Sequence, residues 1–205
     1  MIRTIGLVLL VVCVAMAAPA TTPITATITI TTSDVTGQAT VLSQQTGTFS
    51  RASDGRELRV MLDSKTNQPG TAILRTANNE DVVMKYADKQ YTVNKRQPVA
   101  LPEVLFLAKP GMESQTINGV FAIATPMYDG NTPGKQLIGK SWYSPQYKIE
   151  VRSEFETVAP TGKTIRRVTE MSNIQIGTEP DLSQFVVPAD FSPAAGTARC
   201  SVCSK

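Results

Sequence analysis

Two cysteines stand two residues apart at the end of the chain, Cys200 and Cys203, in ARCSVCSK. A Cys-x-x-Cys can supply half of a zinc site, form a redox pair, or close a local crosslink. No second half of a zinc site occurs in the sequence. A redox pair needs its first cysteine at a helix N-terminus, which lowers the thiol pKa. Here the pair follows SPAAGTAR, a small-residue tail, and no helical pattern accompanies it. The reading favoured is a local disulfide between Cys200 and Cys203, with free thiols or pairing to other molecules as the alternative. So short a loop constrains the unfolded chain little, and it contributes correspondingly little stability. The sequence contains no histidine, which removes the commonest general base and the usual catalytic triads. Glu154 and Glu156 fall on one strand face, but they alternate with basic residues and read as a solvated surface. GNTPGK, residues 130–135, lacks the spacing of a phosphate loop. NNEDV, residues 78–82, lacks that of a calcium loop. The chain therefore reads as non-enzymatic, with no cofactor and no metal.

Export gives the cysteine reading its setting. MIRTIGLVLLVVCVAMAAPA has a basic start, an apolar run from Ile5 to Ala15, and an A-x-A site at Ala15-Met16-Ala17. This is a signal peptide over residues 1–17. Its apolar run is too short for a spanning helix. Cys13 raises a lipoprotein signal as a rival, but the residue before it, Val12, is not small. Cleavage leaves two cysteines in a chain bound for an oxidising compartment, periplasmic or extracellular. It also removes Arg3, so the Lys and Arg count falls from 20 to 19 against 17 acids. That charge, about +2, is too small and dispersed to imply nucleic acid. No later apolar run could span a bilayer. The remainder, about 190 residues, suits one domain with a core of its own.

The elements that follow are strands. Ile24, Ala26, Ile28 and Ile30 alternate with threonine, the period-2 pattern of a half-buried strand. Asp54-Gly55 and Asn118-Gly119 mark hairpin turns, because the turn positions need positive φ. After the first of these, Leu58, Val60 and Leu62 alternate with Arg59 and Met61. A two-residue turn at Asp88-Lys89 would set Tyr86 opposite Tyr91 and Met84 opposite Val93. One at Pro145-Gln146 would set Trp142 opposite Ile149. It would also put Tyr147, Ile149, Val151 and Phe155 on a dry face and Lys148, Glu150, Arg152, Glu154 and Glu156 on a wet one. Residues 164–176, TIRRVTEMSNIQI, read as a strand with a bulge. Helix signal is confined to LPEVLFLAKP, residues 101–110, and a single turn in EPDLSQF. The expected organisation is the leader 1–17, one β-rich domain over 18–191, and a flexible tail over 192–205. The fold class is mainly β, a curved antiparallel sheet with one or two short helices, or alternatively a two-sheet sandwich.

The last third carries a resemblance. Trp142 opens WYSP; a glycine turn follows at Gly162, then Asn173-Ile174, Pro180 to Phe185, and Pro188-Ala189-Asp190-Phe191. This order, over about residues 115–191, resembles exported bacterial proteins that look like distant relatives of the LolA/LolB lipoprotein-carrier superfamily. The resemblance implies a half-barrel, an unclosed curved sheet whose concave face holds acyl chains. On that basis Tyr86, Tyr91, Phe121 and Trp142 are candidate contacts for a lipid or lipoprotein acyl chain, although ordinary core packing is the weightier reading for each. The alternative is a structural or interaction module with a filled core that recruits a protein partner.

Overall fold

The computed structural model describes residues 21–95, 112–128 and 136–196. The leader, residues 101–110, GNTPGK and the Cys200/Cys203 pair lie outside them. Among the described residues twelve strands form one sheet: β1 (Ile24–Asp34), β2 (Thr40–Arg51), β3 (Glu57–Leu62), β4 (Pro69–Arg75), β5 (Glu80–Lys85), β6 (Gln90–Lys95), β7 (Ser114–Ile117), β8 (Val120–Tyr128), β9 (Leu137–Ser144), β10 (Ile149–Val158), β11 (Thr164–Ile176) and β12 (Ser192–Pro193). Their order is β12-β6-β5-β4-β3-β2-β1-β11-β10-β9-β8-β7. Every pairing is antiparallel except that of β12 with β6. The two ends of the order do not meet, so the sheet is an open one and the sandwich alternative falls away. A 3-10 turn, Leu182–Gln184, is capped by the Asp181 carboxylate and sits where EPDLSQF predicts it.

Local chemistry sets the hairpins. Three turns share one hydrogen-bond pattern: Ala52 N–H donates to the Arg56 carbonyl, Thr76 to Glu80, and Ala159 to Lys163. In each, the fourth residue takes positive φ, at Gly55, Asn79 and Gly162, the left-handed residue of a three-residue loop. Asn118 and Gly119 are both at positive φ between paired Ile117 and Val120, as the Asn-Gly signal requires. Two other hairpins differ from expectation. Met84 faces Tyr91 and Val82 faces Val93, because the loop holds four residues, 86–89, with Lys89 at φ 48°. Likewise Ser144, not Trp142, faces Ile149, and Lys148 carries the positive φ. A bulge between Glu150 and Arg152 then puts Arg152 opposite Trp142 and Phe155 opposite Gly139. Phe155 therefore leaves the side it was expected to share with Ile149 and Val151. The bulge expected in residues 164–176 is present, where β1–β11 pairing slips between Thr25 and Thr27 beside Asn173 at φ 50°.

The sheet curls on itself. The Asn118 side-chain amide, in the β7–β8 turn, donates to the Met171 carbonyl on β11 at 2.6 Å, although two strands separate β8 from β11. Arg51 on β2 donates to the Lys148 carbonyl at 3.4 Å and twice to that of Thr22, at 3.1 and 3.0 Å. Two glycines allow the bending. A Cβ on Gly139 would lie 2.0 Å from the Glu154 carbonyl oxygen, and one on Gly47 would lie 2.2 Å from that of Val60.

Two apolar clusters result. The first gathers Ile24, Ala26, Ile28, Phe49, Val120, Ala122, Trp142, Ile149, Val151 and Met171. The second gathers Leu58, Ala72, Leu74, Val82, Met84 and Tyr91 under Phe185 and Val187. Directly paired residues share a face. Phe49 pairs with Arg59 and Ser50 with Leu58, so the two clusters lie on opposite faces of β2 and β3. Both faces of β2 and β3 are therefore covered. On β3, Leu58 belongs to the second cluster and Met61 packs against the first. The chain is also still attached beyond residue 191. Ser192 N–H donates to the Lys89 carbonyl and Ala194 N–H to that of Tyr91, which adds β12 beside β6 while Phe191 packs on Tyr86.

One end of the sheet is locked by charge. Asp34 accepts from Lys163 Nζ at 2.8 Å and from Thr36 N–H at 3.0 Å, and these partners lower its pKa from 3.8 to about 2. The folded-state pKa is depressed, so its stabilisation is present above about pH 4 and is lost as pH falls through about 2. The expected result is that Asp34→Asn melts below wild type at neutral pH. The gap should close as the pH of a calorimetric series falls towards about 2; a gap independent of pH would refute the ionic lock.

Candidate functional site

The four aromatic candidates do not converge. Trp142 is buried in the first cluster and Tyr91 in the second. Tyr86 packs edge-on against Phe191, with ring centroids 5.2 Å apart, and burial followed by the Asp190 charge raises its phenol pKa. Phe121 is exposed on β8. Glu154 is ion-paired with Arg152 and Glu156 with Arg166, the solvated pattern their alternation suggests. Among the described residues no group of His, Cys, Asp or Glu could hold a metal ion.

A different part of the sheet is hollow. Ile28 and Ile30 of β1, Arg59 and Met61 of β3, Thr71 to Ile73 of β4, Glu150 of β10, and Arg167 and Thr169 of β11 line a depression of about 280 Å³. Pairing explains the assembly. Ile30 faces Thr169, while Arg59 faces Ile73 and Met61 faces Thr71. Gly47 joins the two halves by pairing with both Ile28 and Met61. Met61 leans into the space above that glycine, its sulfur 2.8 Å from where a Cβ would be.

The floor of this hollow is apolar and its rim is charged. Ile30 and Met61 are partly buried against the first cluster, and Ile73 is 41% exposed, enough to meet a ligand. The Arg59 guanidinium lies 5.5 Å from the Phe49 ring centroid. Neither it nor Arg167 forms an ion pair among the described residues. Glu150 accepts a hydrogen bond from Ser141 Oγ at 2.5 Å. Two cations against one carboxylate leave the rim positive. The volume lies just below the usual range for small-molecule sites, about 300–1,000 Å³, so the hollow fits one apolar chain segment rather than a whole diacyl lipid. Sequence reasoning registered the Ile28/Ile30 alternation. It registered Arg59 and Met61 only as alternating with Leu58, Val60 and Leu62, and nothing in a six-residue strand shows that both faces are covered.

No protein-family model matches the chain, and no curated protein matches it. Solved structures similar to it include an uncharacterised conserved protein from Thermus thermophilus, at 9% identity over 82% of this chain and 89% of that one, TM-score 0.45. They include the Pseudomonas aeruginosa MucA/MucB complex, at 14% identity over 81% of this chain and 56% of that one, TM-score 0.44. They also include a LolA superfamily protein from Nitrosomonas europaea, at 11% identity over 80% of this chain and 90% of that one, TM-score 0.36.

Proposed function

We propose that this is a non-enzymatic exported envelope protein that binds the apolar chain of a lipid or lipoprotein in the hollow between β1, β3, β4 and β11. The observation that carries the reading is the pairing of an apolar floor, Ile28, Ile30, Met61 and Ile73, with the guanidinium groups of Arg59 and Arg167 on the rim. Such a site favours an acyl chain with an anionic end: the floor removes apolar surface from water and the rim attracts the head group. The leader read from residues 1–17 supports an envelope setting. The alternative, an interaction module, draws on the two filled clusters.

The test is titration with a fluorescent fatty acid. Saturable binding is expected, with Ile73→Asp reducing affinity at least tenfold, since it puts a carboxylate beside the chain and near the acidic head. Ile73 is half-exposed, so the melting temperature should move by no more than about 2 °C, in line with the small effect of surface substitutions. No binding by wild type, or equal binding by the variant, would reject the site.

A further inference from the structure

The hollow is too small for a long acyl chain. Its volume of about 280 Å³ takes one apolar segment, so the rest of a long tail has to lie on an adjoining surface. Strand register shows what adjoins it, because directly paired residues share a face. From Thr169 the face continues to Ser153 and then Ser141. From Ile30 it continues to Gln45, and from Thr71 to Lys85. All three directions are polar. Arg167 leads to Phe155, but there a charged residue interrupts the apolar path. From Ile73 the face continues to Val83 on β5 and then to Thr92 on β6.

This strip is open where the other face of the same strands is filled. Val82, Met84 and Tyr91 lie under Phe185 and Val187 in the second cluster. Val83 is half-buried and, like Ile73, belongs to neither cluster. The neighbouring charges are turned aside. The Arg59 guanidinium lies over the Phe49 ring, on the β2 side of its strand, which leaves Ile73 clear. Arg75, next along β4, is held by Glu57 at 2.5 Å and by Asp81 at 3.3 Å.

Resting on the acyl-chain reading of the hollow, we propose that the tail leaves the hollow over Ile73 and lies along Val83 and Thr92, so that Val83 selects long chains over short ones. A short chain ends inside the hollow and never reaches β5. A long one covers Val83 and removes both surfaces from water. Complete burial of a methylene strengthens binding about fourfold. On an open strip, where one side of the chain stays wet, the gain falls to roughly twofold for each methylene.

Displacement of a bound fluorescent fatty acid by octanoate and by palmitate, each kept below its aggregation threshold, tests this on the full exported chain. Wild type should bind palmitate at least tenfold more tightly than octanoate. Longer chains favour any apolar surface, so the variants decide. Val83→Asn should weaken palmitate at least fivefold and change octanoate by less than twofold. Val83→Thr keeps the side-chain shape and guards against a folding defect; it should weaken palmitate about twofold and leave octanoate unchanged. Phe155→Asn should leave both acids unchanged. Equal losses for the two acids, or no loss, overturn the path over Val83 while the hollow itself stands as a chain site. A palmitate loss confined to Phe155→Asn puts the tail on β10 and overturns it too. If neither acid binds wild type, the reading of the hollow fails and the path falls with it.

Discussion

Gly139→Ala should lower the melting temperature by about 6–12 °C, although it adds a single methyl group. The added Cβ would lie 2.0 Å from the Glu154 carbonyl oxygen and 2.6 Å from Phe155 Cα. Those are backbone atoms of the paired strand and cannot rotate aside. Relief requires β9 and β10 to separate, which breaks ladder hydrogen bonds where the sheet bends. An overpacked site costs about 1–3 kcal/mol, and a clash with backbone belongs at the upper end of that range or beyond. At about 2–4 °C per kcal/mol for a domain of this size, 3 kcal/mol gives the quoted shift. Gly47→Ala should behave alike, with its Cβ 2.2 Å from the Val60 oxygen. Two controls separate causes. Gly37 has nothing within 4 Å of its added Cβ, so Gly37→Ala should change little. Gly119 also has open space but sits at φ 84°, so its alanine variant reports conformational strain alone, about 1–2 kcal/mol. Differential scanning calorimetry of the four variants is the measurement. If Gly139→Ala melts with wild type, the tight approach of β9 to β10 is not real and the curvature has another origin.

How far the sequence shows this fold depends on which residues occupy the turns. Asn118-Gly119 and Asp54-Gly55 announce positive φ by their chemistry, and both hairpins fall where they are read. Lys89 and Lys148 take the same conformation, at φ 48° and 53°, and nothing in a lysine announces it. Each of those hairpins is consequently misread by two residues. A slip of two keeps every side chain on its face, because strand side chains alternate with period two. The burial of Met84, Tyr91, Trp142 and Ile149 is therefore legible even though their partners are not. The bulge at Val151 breaks that protection and carries Phe155 to the other side. The hollow escapes sequence reading for a different reason. Its residues come from five strands between Ile28 and Thr169, and what brings them together is a glycine, Gly47, with no side chain to fit any periodic pattern. Local patterns report which residues want burial. Which of two faces a cluster occupies is decided by how the sheet coils.

Trp142→Ala should destabilise the protein by about 3–5 kcal/mol, the usual cost of deleting a buried aromatic side chain. At about 2–4 °C per kcal/mol the melting temperature would fall by about 6–20 °C. The indole is 5% exposed and belongs to the cluster that holds Ile149, Val151 and Ala124. Its other contact is the Arg152 guanidinium, 5.2 Å from the ring centroid. That contact exists because the bulge places Arg152, and not a β-branched residue, opposite Trp142. Among the described residues the indole N–H has no hydrogen-bond acceptor. Trp142→Phe should accordingly cost much less than alanine, since it keeps most of the apolar surface and an aromatic face for Arg152. The ordering separates two ways in which Trp142 could matter. If packing dominates, Phe lies close to wild type and Ala far below it. If the cation–π contact dominated, Arg152→Met would match the alanine variant. It should not, because such a contact contributes only about 0.5–2 kcal/mol and the guanidinium keeps access to water through Glu154 and Glu170, both partly exposed. A Trp142→Ala melt within about 2 °C of wild type would mean that the ring is not buried, and that the bulge which turns β9 and β10 onto the first cluster is misplaced.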